Sequence, residues 1–313
     1  MTTATHETSV PSQRSRDLVR GAFDLHVHID PDVVGRIVDD VTLAERFAAC
    51  GLAGFALKSH YTSTAERARV VNRVSGGVQA IGSIALNAAV GGLNPLALEI
   101  AAREGARIVW LPTVDAANEA SARDREYPPG AKVPMWVRLQ KELREAGMEA
   151  PPVAVVDAHG NPLPALLDVI ALAAKHQLVL ATGHLSRDEI FTAVDAALVG
   201  GVRDVVVTHP EFTSQDLSIA DQVALAERGA LLERCFTTPF TGKCSWEHVA
   251  EGIRATSVER NLLSTDLGQP ANPPVEDGLP LFADRLLDAG FTPQEVQTMT
   301  VVNSRRLAGV EAR

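Results

Sequence analysis

The sequence predicts a (β/α)₈ barrel, and three observations favour this fold. First, eight short apolar runs, each followed by a helical pattern, begin near residues 22, 53, 78, 106, 178, 203, 230 and 262. Second, runs such as IVWL at 108–111 and VVV at 205–207 are apolar throughout, which is typical of parallel strands buried on both faces. Third, polar residues follow the strand ends, where barrel enzymes have their active sites. An open doubly wound sheet is the competing architecture, but no Gly-x-Gly-x-x-Gly turn follows the first strand.

One domain accounts for most of the chain. Residues 21–313 contain all eight strand–helix units, whereas residues 1–20 are rich in Ser, Thr and Arg and predict a flexible N-terminal arm. After the eighth unit, an additional C-terminal helix is expected from Thr292 to Leu307, packed on the outside or the bottom of the barrel.

The fourth and fifth strands are separated by more than twice the usual distance, which predicts a long insertion. It begins with a polar loop from Asp115 to Val133, followed by helices from about Pro134 to Ala146 and from Ala165 to His176. Between these helices, His159 lies in a segment typical of a hairpin turn, so we expect it to be exposed rather than catalytic.

The composition, with 46% apolar and 22% charged residues, is that of an ordinary soluble globular protein. The formal charge is −10 and there is no basic cluster, which argues against nucleic-acid binding. No run approaches the roughly 20 apolar residues of a membrane span, and residues 1–20 lack a signal-peptide core. Because Cys50, Cys235 and Cys244 show no metal-ligand spacing, we expect thiols and a cytoplasmic location. A homo-oligomer and a monomer both remain open.

The first strand carries a pattern that indicates metal binding. In FDLHVHID, residues 23–30, apolar and polar residues alternate, so that His26 and His28 project to the same side and can act as a metal clamp. A strand with an ordinary polar face is the alternative. The metal interpretation is favoured because later apolar runs also end in residues able to bind metal, namely Lys58 with His60, His184, His209 and Asp266.

A His-x-His after the first strand, a His after each of the fifth and sixth strands and an Asp after the eighth resemble the metal-dependent amidohydrolase superfamily. The resemblance extends over most of the chain and implies a TIM-barrel hydrolase. It implies that His26 and His28 bind one metal, that His184 and His209 bind a second or position a water, and that Asp266 is both ligand and general base. Imidazoles with a carboxylate suit Zn²⁺, the expected ion, and also Mn²⁺ or Fe²⁺.

The sequence departs from this family at the fourth strand. Many members have a lysine there that is carboxylated and bridges two metals, but here the strand ends in VWLPTVDA. Lys58 stands instead at the end of the second strand, two residues before His60. Three interpretations remain open: a carboxylated Lys58 that bridges two metals, a cationic Lys58 that binds a substrate anion, or a structural ion pair with Asp30 or Asp115. One metal ion and two are therefore both open.

Further polar residues near strand ends are candidates for substrate binding: His60, Asn87, Asp115 and Glu233. Glu233 has an alternative role as a surface partner of Arg234 or Arg254. Arg123 and Arg125 in the loop of the insertion would bind an anionic substrate if this loop is a lid. The alternative is a solvent-exposed loop that does not act as a lid. Cys235 is interpreted as a core thiol.

Together these residues predict a metal-dependent hydrolase that uses a metal-activated water to cleave an amide, cyclic imide or lactone bond of a small molecule. Asp266 would take the proton of the water, and Lys58 or a loop arginine would steady the substrate. The alternative enzymes are a metal-dependent decarboxylase or phosphoesterase on the same barrel. A non-enzymatic, metal-stabilised binding module is disfavoured because no ligand of the set is missing.

Overall fold

A computed structural model describes residues 10–120 and 133–310, and its eight strands form one parallel sheet in sequence order. This order confirms the predicted barrel and excludes the doubly wound sheet, in which the strand order reverses. The strands are β1 (Phe23–Val27), β2 (Gly54–Leu57), β3 (Gln79–Ala85), β4 (Ala106–Trp110), β5 (Val179–Ala181), β6 (Asp204–Thr208), β7 (Leu231–Cys235) and β8 (Asn261–Ser264).

The barrel closes through residues that follow β8. The backbone N–H of Asp266 donates to the carbonyl of His26 at 2.8 Å, and the N–H of His28 donates to the carbonyl of Leu267 at 2.8 Å. Three of the predicted metal ligands, His26, His28 and Asp266, are therefore held near one another by backbone hydrogen bonds between β1 and the residues after β8.

Helices connect the strands on the outside. Short 3₁₀ turns occur at Ala88–Val90, Ala117–Glu119 and Val258–Arg260, and a π-helical turn at Thr298–Val302. None of the helices in the described residues is long and apolar enough to cross a membrane. The α-helices are α1 (Gln13–Leu18), α2 (Asp40–Cys50), α3 (Ala65–Val74), α4 (Pro95–Arg103), α5 (Met135–Glu145), α6 (Pro164–Lys175), α7 (Arg187–Val199), α8 (Ile219–Arg228), α9 (Thr237–Phe240), α10 (Trp246–Thr256), α11 (Val275–Asp288), α12 (Pro293–Gln297) and α13 (Asn303–Ala308).

The second half of the expected N-terminal arm differs from the prediction, because it folds as α1. The hydroxyls of Ser12 and Ser15 donate to Asp284 at 2.6 and 2.7 Å, and Arg16 pairs with Asp277 at 2.7 Å. The serine and arginine side chains, which predicted a flexible segment, bind the acidic residues of α11 instead. Residues 1–9 lie outside the described part of the chain.

The insertion between β4 and β5 contains α5 and α6 close to the predicted positions. Between them His159 is exposed, and its N–H donates to the carboxylate of Asp157 at 2.8 Å, as in the expected turn. Residues 121–132 lie outside the described residues, so the role of this loop as a lid remains a prediction.

The barrel interior is apolar below the strand ends. One cluster of buried side chains takes members from all eight strands: Phe23, Ala56, Ile81, Ile108, Val179, Val206, Leu231 and Leu262. Leu307 and Ala308 of α13 belong to the same cluster, and Ser304 accepts a hydrogen bond from the N–H of Phe23 at the start of β1, at 3.0 Å. The additional C-terminal helix therefore closes the bottom of the barrel.

The first strand contains a bulge that the alternating pattern did not predict. Asp24 pairs with Phe55 and Val27 pairs with Leu57, so two residues of β1, Leu25 and His26, lie opposite one residue of β2. Leu25 belongs to the interior cluster, whereas Val27 packs in the layer between the sheet and the helices. The extra residue shifts the phase of the strand, as bulges do, and both Leu25 and His26 face the interior.

Candidate active site

Five buried histidines form a closed circuit of rings at the C-terminal end of the barrel. They follow β1, β2, β5 and β6 or lie at the ends of these strands, so the parallel topology alone brings them to one place. Each is at most 8% exposed. The distances between successive ring centroids are 5.6 Å for His26–His28, 4.8 Å for His28–His60, 6.2 Å for His60–His184, 5.0 Å for His184–His209 and 6.1 Å for His209–His26.

Three donor atoms of the predicted metal site converge within this circuit. Nε2 of His26 and Nε2 of His28 each lie 3.2 Å from Oδ1 of Asp266, and the three ligand atoms are within 4.8 Å of one another. His184 and His209 do not belong to this triad, although their rings lie beside it. The structure thus brings all five predicted residues to one region but places only three in a common ligand group.

The carboxylate of Asp266 is held in one orientation. The hydroxyl of Thr237 donates to its Oδ2 at 3.0 Å, which leaves Oδ1 directed at the two histidines. Burial acts to raise the pKa of Asp266, but the interactions with His26 and His28 outweigh it and hold the pKa well below its ordinary value. Asp266 is therefore ionised at neutral pH.

Three of the histidine rings have an acceptor on Nδ1. An acceptor in this position fixes the tautomer and leaves the Nε2 lone pair for a metal. One acceptor is Glu233, which faces the site and not the surface. The other two, Glu119 and Gln215, are partners of the histidines that the sequence did not predict. The contacts are His26 with Glu233 Oε2 at 3.3 Å, His184 with Glu119 Oε1 at 3.0 Å and His209 with Gln215 Oε1 at 3.1 Å.

Lys58 lies inside the site. Its Nζ is 2.8 Å from Nε2 of His26 and 5.0 Å from the centroid of the Trp110 ring below. Burial lowers the pKa of the Lys58 ammonium, and the carboxylates nearby only partly oppose this effect. In the described part of the chain Lys58 forms no ion pair with Asp30 or Asp115, so the geometry favours the two interpretations that give it a role in the site.

His28 is kept neutral by its surroundings. Burial first, and then the guanidinium of Arg36, lower the pKa of His28 to about 3. Nη2 of Arg36 lies 3.5 Å from Nδ1 of His28, and its Nε donates to Asp32 at 2.8 Å. This buried Arg36–Asp32 pair in the loop after β1 is a part of the site that the sequence did not reveal.

Asn87 does not have the predicted substrate-binding geometry, because its amide is fully engaged within the protein. Its Nδ2 donates to the carbonyl of His60 at 2.9 Å and to the hydroxyl of Thr113 at 2.6 Å. Its Oδ1 accepts from the N–H groups of Thr113 and Asp115, at 2.8 and 3.2 Å. Since Thr113 also contacts Nδ1 of His60 at 2.8 Å, Asn87 positions His60 and the rim of the site.

The remaining predicted residues occupy different surroundings. Arg123 and Arg125 lie outside the described residues, and their contact with an anionic substrate remains a prediction. Asp115 lies on the rim, where it accepts a hydrogen bond from Gln140 at 2.6 Å. The thiol of Cys235 is buried, which raises its pKa. It is more than a core thiol, because its Sγ lies 3.6 Å from Nδ1 of His26 and its donor atom groups with those of His26 and Glu233 as a second set of possible metal ligands.

The donor groups fit a divalent cation. Burial and Lys58 act to lower the pKa of His26, yet the charges of Asp266 and Glu233 prevail and raise it. This excess of negative charge favours a proton on His26, and a divalent ion would supply the positive charge instead. Two imidazole nitrogens and a carboxylate oxygen are ligands that Zn²⁺, Mn²⁺ and Fe²⁺ accept. His26, His28 and Asp266 are the residues that would hold the ion.

A parallel barrel with this ligand arrangement has the fold of the amidohydrolases, and comparison with solved structures confirms the fold. An amidohydrolase from Pseudomonas aeruginosa matches with a TM-score of 0.59 and 10% identity, over 96% of this chain and 98% of its own. A metallopeptidase from Rhodobacter sphaeroides, bound to a phosphinate mimic of L-Ala-D-Ala, matches at 0.57 and 13%, over 93% and 99%. A zinc-bound amidohydrolase from Burkholderia multivorans matches at 0.56 and 12%, over 93% and 99%.

The chain itself belongs to the family of unknown function DUF6282, whose model matches residues 21–233. This match covers β1 to β7 up to Glu233, and therefore all of the circuit histidines, but it ends before Asp266. A search of curated proteins found no match.

Proposed function

We propose that this protein is a metal-dependent hydrolase that cleaves an amide, cyclic imide or lactone bond of a small molecule. The observation that carries the proposal is the triad of His26, His28 and Asp266, whose donor atoms lie within 4.8 Å of one another at the active-site end of the barrel. A divalent cation bound there would activate water and polarise the scissile carbonyl. Zn²⁺ is the expected ion.

Asp266 acts as the proton acceptor. It is ionised at neutral pH, and the hydroxyl of Thr237 holds its Oδ2, so Oδ1 is the oxygen that would accept the proton. After accepting the proton, Asp266 transfers it to the leaving group. The same carboxylate contacts both His26 and His28, so a ligand role and a proton-transfer role fall to one residue.

His184 and His209 supply the opposite side of the site. Their rings are 5.0 Å apart, and Glu119 and Gln215 hold their Nδ1 atoms. We assign them to a second metal ion or to the orientation of water and substrate. Lys58, in contact with Nε2 of His26, would either help to hold two ions as a carboxylated lysine or steady substrate charge as an ammonium.

An activity screen tests the proposal. Purified protein, loaded separately with Zn²⁺, Mn²⁺ or Fe²⁺, would be assayed on panels of lactones, amides, cyclic imides and phosphoesters. We expect turnover of at least one carboxylic-acid derivative that His26→Ala abolishes. Turnover of phosphoesters alone would favour the phosphoesterase alternative. Metal binding without turnover in any panel would contradict the hydrolase assignment and favour a binding module.

A further inference from the structure

The segment after β7 connects a lysine to the candidate metal site. The hydroxyl of Thr237, at the start of α9, donates to Oδ2 of Asp266 at 3.0 Å. The hydroxyl of Thr241 donates to the carbonyl of Thr237 at 2.6 Å and accepts from Nζ of Lys243 at 2.9 Å. Three hydrogen bonds through one short helix therefore connect the Lys243 ammonium to the carboxylate of Asp266.

Lys243 also contacts an aromatic ring that packs on the histidine circuit. Its Nζ lies 4.8 Å from the centroid of the Phe212 ring, which belongs to the segment after β6. The Phe212 ring in turn lies 4.7 Å from the ring of His209 and 5.8 Å from that of His184, between centroids. Two independent sets of contacts, through Thr237 and through Phe212, thus place the ammonium beside the candidate site.

The charge of Lys243 is available to a ligand. Within residues 10–120 and 133–310 its Nζ forms no ion pair with a carboxylate, and its hydrogen bond is to a neutral hydroxyl. Desolvation by the surrounding protein lowers the pKa of this ammonium, while the carboxylate of Asp266 acts to raise it. A divalent ion bound by Asp266 would compensate that carboxylate. Because the side chain remains exposed, an anion can then reach the ammonium from solvent.

We infer that Lys243 is a specificity-determining residue that binds a carboxylate of the substrate, next to the scissile bond. The inference rests on the proposed function. One ammonium supplies one positive charge, which matches a carboxylate better than the roughly two negative charges of a phosphate. A single ring, that of the half-buried Phe212, lies between Lys243 and His209. The segment that joins the carboxylate to the scissile bond is therefore expected to be short and apolar.

Binding of two probes of the same shape tests the inference. N-acetylglycine carries a carboxylate, whereas N-acetylglycinamide has a neutral carboxamide in its place. Affinities for the full-length, metal-loaded protein would be measured by ¹H–¹⁵N chemical-shift titration. We expect Lys243→Met to weaken binding of N-acetylglycine about fivefold, the upper range for an exposed ion pair, and to leave N-acetylglycinamide unaffected. In about 1 M salt, which screens exposed charges, the wild type and this variant should bind N-acetylglycine equally.

Two further variants serve as controls. Lys175→Met removes the same charge from the end of α6, where Lys175 pairs with Glu99, and should leave both affinities unchanged. Lys243→Arg keeps the charge and should bind N-acetylglycine nearly as well as the wild type. Thermal unfolding of each variant would establish that it is folded.

The outcomes separate the inference from the proposed function. Equal binding of N-acetylglycine by the wild type and Lys243→Met, or no measurable binding by the wild type, would overturn the inference even if the protein hydrolyses other compounds. Because the titration needs no turnover, a protein that binds N-acetylglycine through Lys243 but hydrolyses nothing would support the carboxylate site and contradict the proposed function.

Discussion

Glu119→Gln should weaken metal binding about tenfold while leaving the fold intact. Glu119 is 2% exposed, and its Oε1 contacts Nδ1 of His184 at 3.0 Å and the hydroxyl of Ser214 at 2.6 Å. Burial acts to raise the pKa of Glu119, but the hydrogen bonds from His184 and Ser214 prevail and lower it, so the group is a carboxylate at neutral pH. This charge would make His184 a stronger ligand of a bound metal, the role that the prediction assigns to it.

The magnitude follows from the type of hydrogen bond. A hydrogen bond to a charged group contributes about 1.5–3 kcal/mol and a neutral one about 0.5–1.5 kcal/mol. Glutamine keeps an oxygen that accepts from His184 but removes the charge, which corresponds to a loss of about 1–1.5 kcal/mol, or roughly tenfold in affinity. Removal of such a partner altogether costs about 10- to 100-fold in metal affinity, so Glu119→Ala should lie at the upper end of that range.

The assay is competition for metal with a chromophoric chelator, at fixed pH and ionic strength. Glu99→Gln is the matched control, because Glu99 on α4 forms the same kind of pair with His176, at 2.7 Å, on the outer helices. Its metal affinity should equal that of the wild type. If Glu119→Gln also binds metal with wild-type affinity, His184 is not a ligand, or its carboxylate partner has no effect on it.

Three further predictions concern the candidate site itself. His26→Ala and His184→Ala should each lower metal content, measured by elemental analysis, without unfolding the barrel. Asp266→Asn should lower kcat by roughly 10²–10⁴, the usual contribution of a general base, while metal occupancy falls much less. Alanine at both Arg123 and Arg125 should lower kcat/KM on an anionic substrate by roughly ten- to a hundredfold, because a charge-assisted contact contributes about 1.5–3 kcal/mol.

Exposed residues of the same types provide controls for these variants. His159→Ala, Asp288→Asn and Arg103→Ala make the corresponding changes at exposed positions outside the site and should behave as the wild type. Stoichiometric metal in His26→Ala, near wild-type turnover of Asp266→Asn across pH 6–9, or an unchanged kcat/KM in the arginine variant would contradict the respective assignment.

The sequence was sufficient to predict the fold and the approximate place of the site. The strands begin within one residue of their predicted positions, because the β-branched residues of runs such as VVV at 205–207 favour strands over helices. His184 and His209 then follow from topology, since the ends of adjacent parallel strands meet at one edge. This reasoning gives the neighbourhood of a side chain but not its contacts.

The bulge in β1 shows one limit of this reasoning. A period of two predicts that Leu25 and His26 point to opposite faces, but both face the interior, since the register with β2 slips by one residue. The slip depends on how β1 pairs with β2. The alternation of apolar and polar residues within β1 alone gives no information about that pairing. The pattern nevertheless placed His26 and His28 on the same side correctly, because the extra residue enters the strand before the step of two residues from His26 to His28.

The partners of the histidines show the second limit. Glu119 lies 65 residues from His184 along the chain, in a short 3₁₀ turn that carries no repeating pattern, and nothing in the sequence distinguishes it from the exposed carboxylates of the insertion. Arg36 similarly looks like a surface residue, yet its side chain is 4% exposed and bound to Asp32. Such groups are buried only because a partner compensates their charge. The partner is chosen by tertiary packing, so the strand pattern locates the ligands of a site whereas the structure is needed to find the residues that tune them.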